Sequence, residues 1–459
     1  MTLVRPTREI PGPRGVDALR FLGIGSPDGL LAFFAHCART YGPITSFRSL
    51  GQRVVLLDDA ELIGEVLQAQ QHRFSRDTGA VLLRELVGEG VLTTEDPPHL
   101  QRRRMLQPAF HRARIAGYTA SMVEEAERAG DAWATRASVD VGAEMTRLTL
   151  GVVGRSLFGT EVGDEAERVA GVITAIANRG GRLQPLIAAL APLMFALRSR
   201  LPSSVRLVFG KERATLEAVV EPIVARKRAQ PGGDDLLATL LEVRDDDGGA
   251  LTDLDIVNEL ITFVLAGHET TSSALTWCWY LLAKHPAVEA RLHAELDAVL
   301  GDRAPGLDDV MKLRYTAQVF DEALRLYPPA AAFGRRPLVD VELGGYRIPR
   351  GASVFVSPFV THRNPRYFPD PDAFRPERWT EAEPPKFAFF PFGGGSKMCI
   401  GEPFARAEGV LVLATLARHF RLCIDDPSEV VPGPSALLRP SRAIVARVER
   451  RAATSAVSM

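Results

Sequence analysis

The sequence predicts a mainly α-helical (α+β) fold: one large helical domain, spanning residues 1–459, with small antiparallel β-sheets. Three observations lead there. Helical apolar periodicity runs almost unbroken along the chain, with no linker long enough to part it. Strand-like runs occur only in short pairs. One helical stretch, opening after Thr252, is too long and too apolar to lie on a surface. Length alone would divide the chain into about three domains, but the continuous periodicity argues for a single core.

The elements follow in chain order. Residues 44–47 and 54–57, parted by Gly51, read as a hairpin. Residues 183–197 are uncharged but short for a bilayer and interrupted by Pro185 and Pro192, so they read as a buried helix pair or a lid. Loops are marked by Pro231-Gly-Gly-Asp-Asp and by Asp245-Asp-Asp-Gly-Gly. The second fails as a calcium loop, because Gly249 and Ile256 stand where carboxylates are needed. Thr252 caps the longest helix, with Asp253 and Asp255 in its first turn, and Pro286 stops it after about Lys284. That is on the order of 45 Å of helix. A further strand pair is expected at residues 341–346 and 353–356, and a last one near 437–448.

Composition excludes several classes. A net charge of -1 gives no bias toward nucleic acid or membrane surfaces. Cys37, Cys278, Cys399 and Cys423 lie far apart, which argues against a disulfide framework or zinc site and fits a reducing, cytoplasmic compartment. No apolar run precedes Pro11-Gly-Pro-Arg-Gly, so neither a leader nor a membrane anchor is expected. Gly393-Gly-Gly-Ser-Lys397 is no phosphate loop, since Met398 follows the lysine. Gly23-Ile-Gly25 lacks the spacing and the strand–turn–helix context of a dinucleotide site.

Four clusters carry chemistry. The first is Phe389-Phe-Pro-Phe-Gly-Gly-Gly-Ser-Lys-Met-Cys-Ile-Gly401. Its glycines allow a sharp turn and close approach to a flat group. Phe392 is placed to pack on an aromatic macrocycle, and Gly401 opens a helix whose N-terminus favours a thiolate at Cys399. Such a thiolate serves as axial ligand of a haem iron. The second is Ala266-Gly-His-Glu-Thr-Thr271 inside the long helix, where small residues leave room and a buried Glu269 needs polar partners. Taken alone, Thr270 and Thr271 also fit hydroxyls that bond carbonyls one turn back. The third is Glu322-Ala-Leu-Arg325, one helix face, which alone also fits a surface pair. The fourth is basic: His99 and Arg103 at i and i+4, Arg335, and Lys397.

Together these motifs resemble the cytochrome P-450 family, the haem-thiolate monooxygenases. Phe392, Gly395, Cys399 and Gly401 match the family's cysteine loop, with Lys397 in place of the usual Arg or His. The resemblance implies several roles. Cys399 ligates the iron of haem b. Thr270 and Glu269 manage the protons that O2 activation consumes. Ala266 borders the haem. Glu322, Arg325 and Arg378 form a buried structural triad. His99, Arg103, Arg335 and Lys397 hold the propionates. It further implies a cavity lined by residues 78–92, 180–202, Phe263, Ala266, residues 330–333 and Ser435-Ala436. An apolar terpenoid, steroid or fatty acid is the expected substrate, hydroxylated or epoxidised. Electrons are expected from a separate ferredoxin- or flavodoxin-type carrier, with no reductase fused, steered by Arg102, Arg104, Arg112 and Arg114. A reading from another class is a non-enzymatic haem-thiolate sensor or carrier, which would need neither Glu269 nor Thr270.

Overall fold

The computed structural model describes residues 9–15, 17–18, 29–49, 51–159, 171–172, 209–433 and 437–451. Residues 180–202 and Ser435-Ala436, expected to line the cavity, lie outside them, as do residues 183–197 and Arg182.

The fold is organised by one helix, Asp253–Lys284, of 32 residues. The Thr252 hydroxyl accepts from the Asp255 N–H at 3.1 Å while Asp255 accepts from the Thr252 N–H at 3.1 Å, a reciprocal cap that fixes its start. His285, followed by Pro286, ends it. Both termini fall where the sequence placed them.

This helix feeds two apolar clusters. Its C-terminal half, Ala274 to Leu282, packs among Met122, Trp133 and Leu411. Trp277 stacks flat on Tyr327 at 3.8 Å, and Trp279 meets Trp133 edge-on at 5.7 Å. Such pairs add about 1 kcal/mol each beyond burial. Its N-terminal half, Ile256 to Val264, packs among Leu86, Leu157 and Leu216. Between the two stretches lies the Ala-Gly-His-Glu-Thr-Thr segment, where Ala266 is exposed and Thr270 half-buried.

Among the described residues the strands form three sheets. The largest holds β1 (Ile44–Ser49), β2 (Gln52–Leu57), β8 (Ser353–Val356), β5 (Phe333–Pro337) and β3 (Phe74–Arg76), in that order. A second holds β4 (Ser138–Asp140), β10 (Val445–Arg450) and β9 (Phe420–Cys423). The third is the hairpin of β6 (Val341–Leu343) and β7 (Tyr346–Ile348).

The β1–β2 hairpin matches expectation. The pairing expected between residues 341–346 and 353–356 does not form. Gly344 and Gly345, both at positive φ, turn the chain so that β6 pairs with β7 instead. β8 then joins β2 in parallel and β5 antiparallel. The last strand starts later than expected, at Val445, and pairs with β9 and β4. No helix among the described residues is long and apolar enough to cross a membrane.

Candidate active site

The cysteine loop is shaped by its glycines. Gly395 has φ +68, and a Cβ there would stand 1.7 Å from the Leu67 carbonyl oxygen, so no other residue fits. The Ser396 N–H donates to Gln71 at 2.5 Å and the Cys399 N–H to the Phe392 carbonyl at 2.9 Å. Gly401 then leads into the helix Glu402–Ala417. The Cys399 thiol is solvent-accessible, yet deep among protein atoms. Burial raises its pKa, against the opposing pull of the Gly401 and Glu402 N–H groups and the Arg103 charge. The helix terminus thus pulls toward the thiolate, as expected, while burial opposes it; a coordinated metal charge deprotonates such a thiol outright. Phe392 packs against the main apolar cluster under the Arg406 guanidinium, 5.0 Å from its ring centre. Phe110 lies against Gly401 and against Phe263 of the long helix, with ring centres 5.4 Å apart, so loop and helix border one region.

Around this region the structure gathers cations. Arg103 donates to the Met398 carbonyl at 2.5 Å, beside Cys399. His99 is buried and held to Asp96 at 3.0 Å, and burial with the Arg76 charge lowers its pKa to about 4. Lys397 reaches Asp96 at 3.0 Å, so this lysine is already paired with a carboxylate. Arg335 is buried on β5, with its Nη1 on the adjacent Gly334 carbonyl at 3.0 Å. Arg336, the next residue, is on the opposite strand face.

Sequence reasoning missed Arg76. It stands directly opposite Arg335 across the β3–β5 pair. Burial and the Arg335 and Arg103 charges lower its pKa to about 10, with Glu95 and Asp96 opposing. Like charges facing each other across strands are destabilising unless an anion lies near. No local pattern marks Arg76; only the strand pairing reveals it.

On the long helix, the Thr270 hydroxyl donates to the Ala266 carbonyl at 2.7 Å and that of Thr271 to Gly267 at 3.1 Å. The one-turn-back bond is therefore present at both threonines, and Thr270 still faces the open side beside Ala266. Glu269 is ion-paired with Arg439, another residue that no local motif marks. Burial raises the Glu269 pKa, and Arg439 opposes that.

The carboxylate triad is buried. Glu322 accepts from Arg325 at 2.8 and 2.9 Å and from Arg378 Nε at 2.9 Å. The two guanidinium groups also hold the carbonyls of His362, Pro369, Pro371 and Ala373, which tether the segment leading to the cysteine loop. The surface-pair alternative is thereby excluded.

The steering patch is weaker than expected. Arg102 is bound to Asp255 and Glu259, Arg104 to Asp246 and Arg114 to Asp234. Only Arg112 is exposed with no ion-pair partner among the described residues.

Residues 12–447 match the family model for cytochrome P450. The chain belongs to the cytochrome P450 family. It is 39% identical to a cyclooctatin synthase of Streptomyces melanosporofaciens, over 88% of this chain and 87% of the relative. It is 35% identical to a pentalenene oxygenase of Streptomyces avermitilis, over 76% and 77%. A bifunctional cytochrome P450/NADPH–P450 reductase of Bacillus subtilis is 31% identical, over 90% of this chain but 40% of that protein. As a cytochrome P450 monooxygenase, this protein uses haem b and O2, a hydrophobic substrate and a redox partner. The residues present fit haem b: an accessible thiol stands beside Arg103, whose charge reaches Arg76 of the opposed Arg76–Arg335 pair, and such a set of guanidinium groups suits two propionate carboxylates.

Proposed function

We propose that this cytochrome P450 hydroxylates or epoxidises a neutral polycyclic terpenoid, with Cys399 as the iron ligand. The observation carrying the substrate class is the set of relatives: a cyclooctatin synthase, a cyclooctat-9-en-7-ol 5-monooxygenase and a pentalenene oxygenase, at 35–39% identity. The described lining agrees. Ala266, Phe263, Ala330, Ala332 and Phe333 are apolar, and Arg84, the cation within residues 78–92, is tied to the Thr93 carbonyl at 2.8 Å. Such a lining selects by shape and suits an uncharged ring system better than a carboxylate.

Bound haem supplies O2 activation, to which thiolate electron donation contributes. The chain's own residues do the rest. Arg76, Arg103, Arg335 and His99 would hold the propionates, with Asp96 pairing Lys397 and orienting His99. Thr270 presents a hydroxyl beside Ala266, and Glu269 is the carboxyl within reach of that helix turn. Glu322, Arg325 and Arg378 fix the cysteine loop. The 459 residues form one haem-binding domain, reduced by a ferredoxin- or flavodoxin-type carrier in the cytoplasm. One bacterial relative carries an NADPH–P450 reductase in the same chain, which supports the need for an electron donor. Unpaired cysteines support the compartment.

Spectral titration of the ferric protein with terpenes, steroids and fatty acids tests the substrate class. A cyclic terpene or terpene alcohol should shift the iron spin state and yield an oxygenated product with a surrogate carrier. Spin shift and turnover with fatty acids alone would overturn the reading.

A further inference from the structure

Glu269, Ser273 and Trp277 recur every fourth residue and so form one stripe along the long helix. The segment 437–441 lies along that stripe. The Ser273 hydroxyl and the Trp277 indole N–H both donate to the Leu438 carbonyl, each at 2.7 Å. The Leu438 N–H donates to the Pro329 carbonyl at 2.9 Å, and the Gly433 N–H to the Arg439 carbonyl at 2.8 Å. This strap is thus fastened to the helix through its backbone, and Arg439, the next residue, reaches Glu269. Thr270 belongs to the neighbouring stripe, with Ala266 one turn before it. Acid and alcohol are adjacent in sequence, yet each is held by a different partner.

We infer that Arg439 is the positioning residue for Glu269: its guanidinium fixes the carboxylate on the strap side of the helix, one residue round from Thr270. The inference rests on the cytochrome P450 reading of the Glu269–Thr270 pair. An ionised carboxylate held by a guanidinium cannot donate a proton. Passage of a proton toward Thr270 therefore requires this pair to loosen, and Arg439 sets how readily it does. Two other titratable groups lie on or beside this turn among the described residues: His268, fully buried and neutral, its Nδ1–H on the Val264 carbonyl at 2.6 Å and its pKa lowered to about 4 by burial, and Glu408 of the helix after the cysteine loop, beside Thr271. Neither is a cation, which leaves Arg439 as the cation that matters to Glu269.

The test uses the ferric holoprotein without substrate. Infrared difference spectra across pH follow the Glu269 carboxyl band, identified by its loss in Glu269→Gln. In Arg439→Gln the carboxyl should bind its proton about tenfold more tightly or more, the usual effect of removing an adjacent guanidinium. Arg439→Lys should restore most of the difference. During turnover Arg439→Gln should also change the fraction of electrons lost as hydrogen peroxide, and Arg439→Lys should return it toward the parent value. The Leu438 anchors are untouched, so both variants should melt near the parent. A Glu269 carboxyl that titrates unchanged in a folded Arg439→Gln protein would overturn the inference. A failure of the terpenoid reading would leave the infrared result standing, since no substrate is present.

Discussion

Arg76 and Arg335 face each other across two short strands, and the Arg335 charge, after burial, makes proton binding less favourable at Arg76. A protein keeps such a pair when a bound anion repays the repulsion. Replacing either arginine with alanine should speed haem loss by tenfold or more, as about 1.5–3 kcal/mol of charge-assisted hydrogen bonding disappears. Haem transfer to an acceptor protein measures this rate, and equal rates in parent and both variants would remove the pair from the propionate site. Cys399, Thr270, Glu269, His99 and Arg335 could be read from the chain because each sits in a local motif with fixed spacing. Arg76 and Arg439 could not. Their partners lie 259 and 170 positions away, as register and hydrogen bonding show, and nothing in local periodicity records such a pairing.

The long helix was legible at both ends because its signals, a capping box and a proline, are local. The strands were harder. β8 has the same apolar character whether it pairs with β2 or with a hairpin partner, so its parallel place beside β2 depends on the tertiary fold. The triad sits between these cases: the Glu322–Arg325 spacing is local, whereas the approach of Arg378 requires the chain to return. Its energetics belong to the elements it joins. Arg378→Ala leaves a buried carboxylate with one guanidinium and frees the Pro369 carbonyl, and should destabilise the fold by about 3–5 kcal/mol. Denaturant unfolding should show that loss together with weaker haem retention. A variant as stable as the parent would mean that the triad does not brace the loop.

Across the molecule, the helix after the cysteine loop carries a second buried carboxyl, Glu408, whose oxygens have no hydrogen-bond partner in the structure. Thr271 lies beside it but donates to Gly267. Burial pushes the Glu408 pKa up to about 8. The folded pKa is above that of the unfolded chain, so the stability this group permits is complete in acid and is lost as pH rises toward 8. The slope from this group is at most about 1.4 kcal/mol per pH unit. Glu408→Gln should therefore gain on the parent steadily between about pH 5 and 8. Parallel unfolding curves with a pH-independent difference would show that Glu408 is already ionised.

The proposed function depends most on the sulfur of Cys399 as the iron's axial ligand. The most direct measurement is the absorption spectrum of the reduced protein under carbon monoxide, with Cys399→His alongside. The parent should show the strongly red-shifted Soret band of anionic sulfur ligation, and the variant should lose it. A parent without that band, or a variant that keeps it, would contradict the assignment.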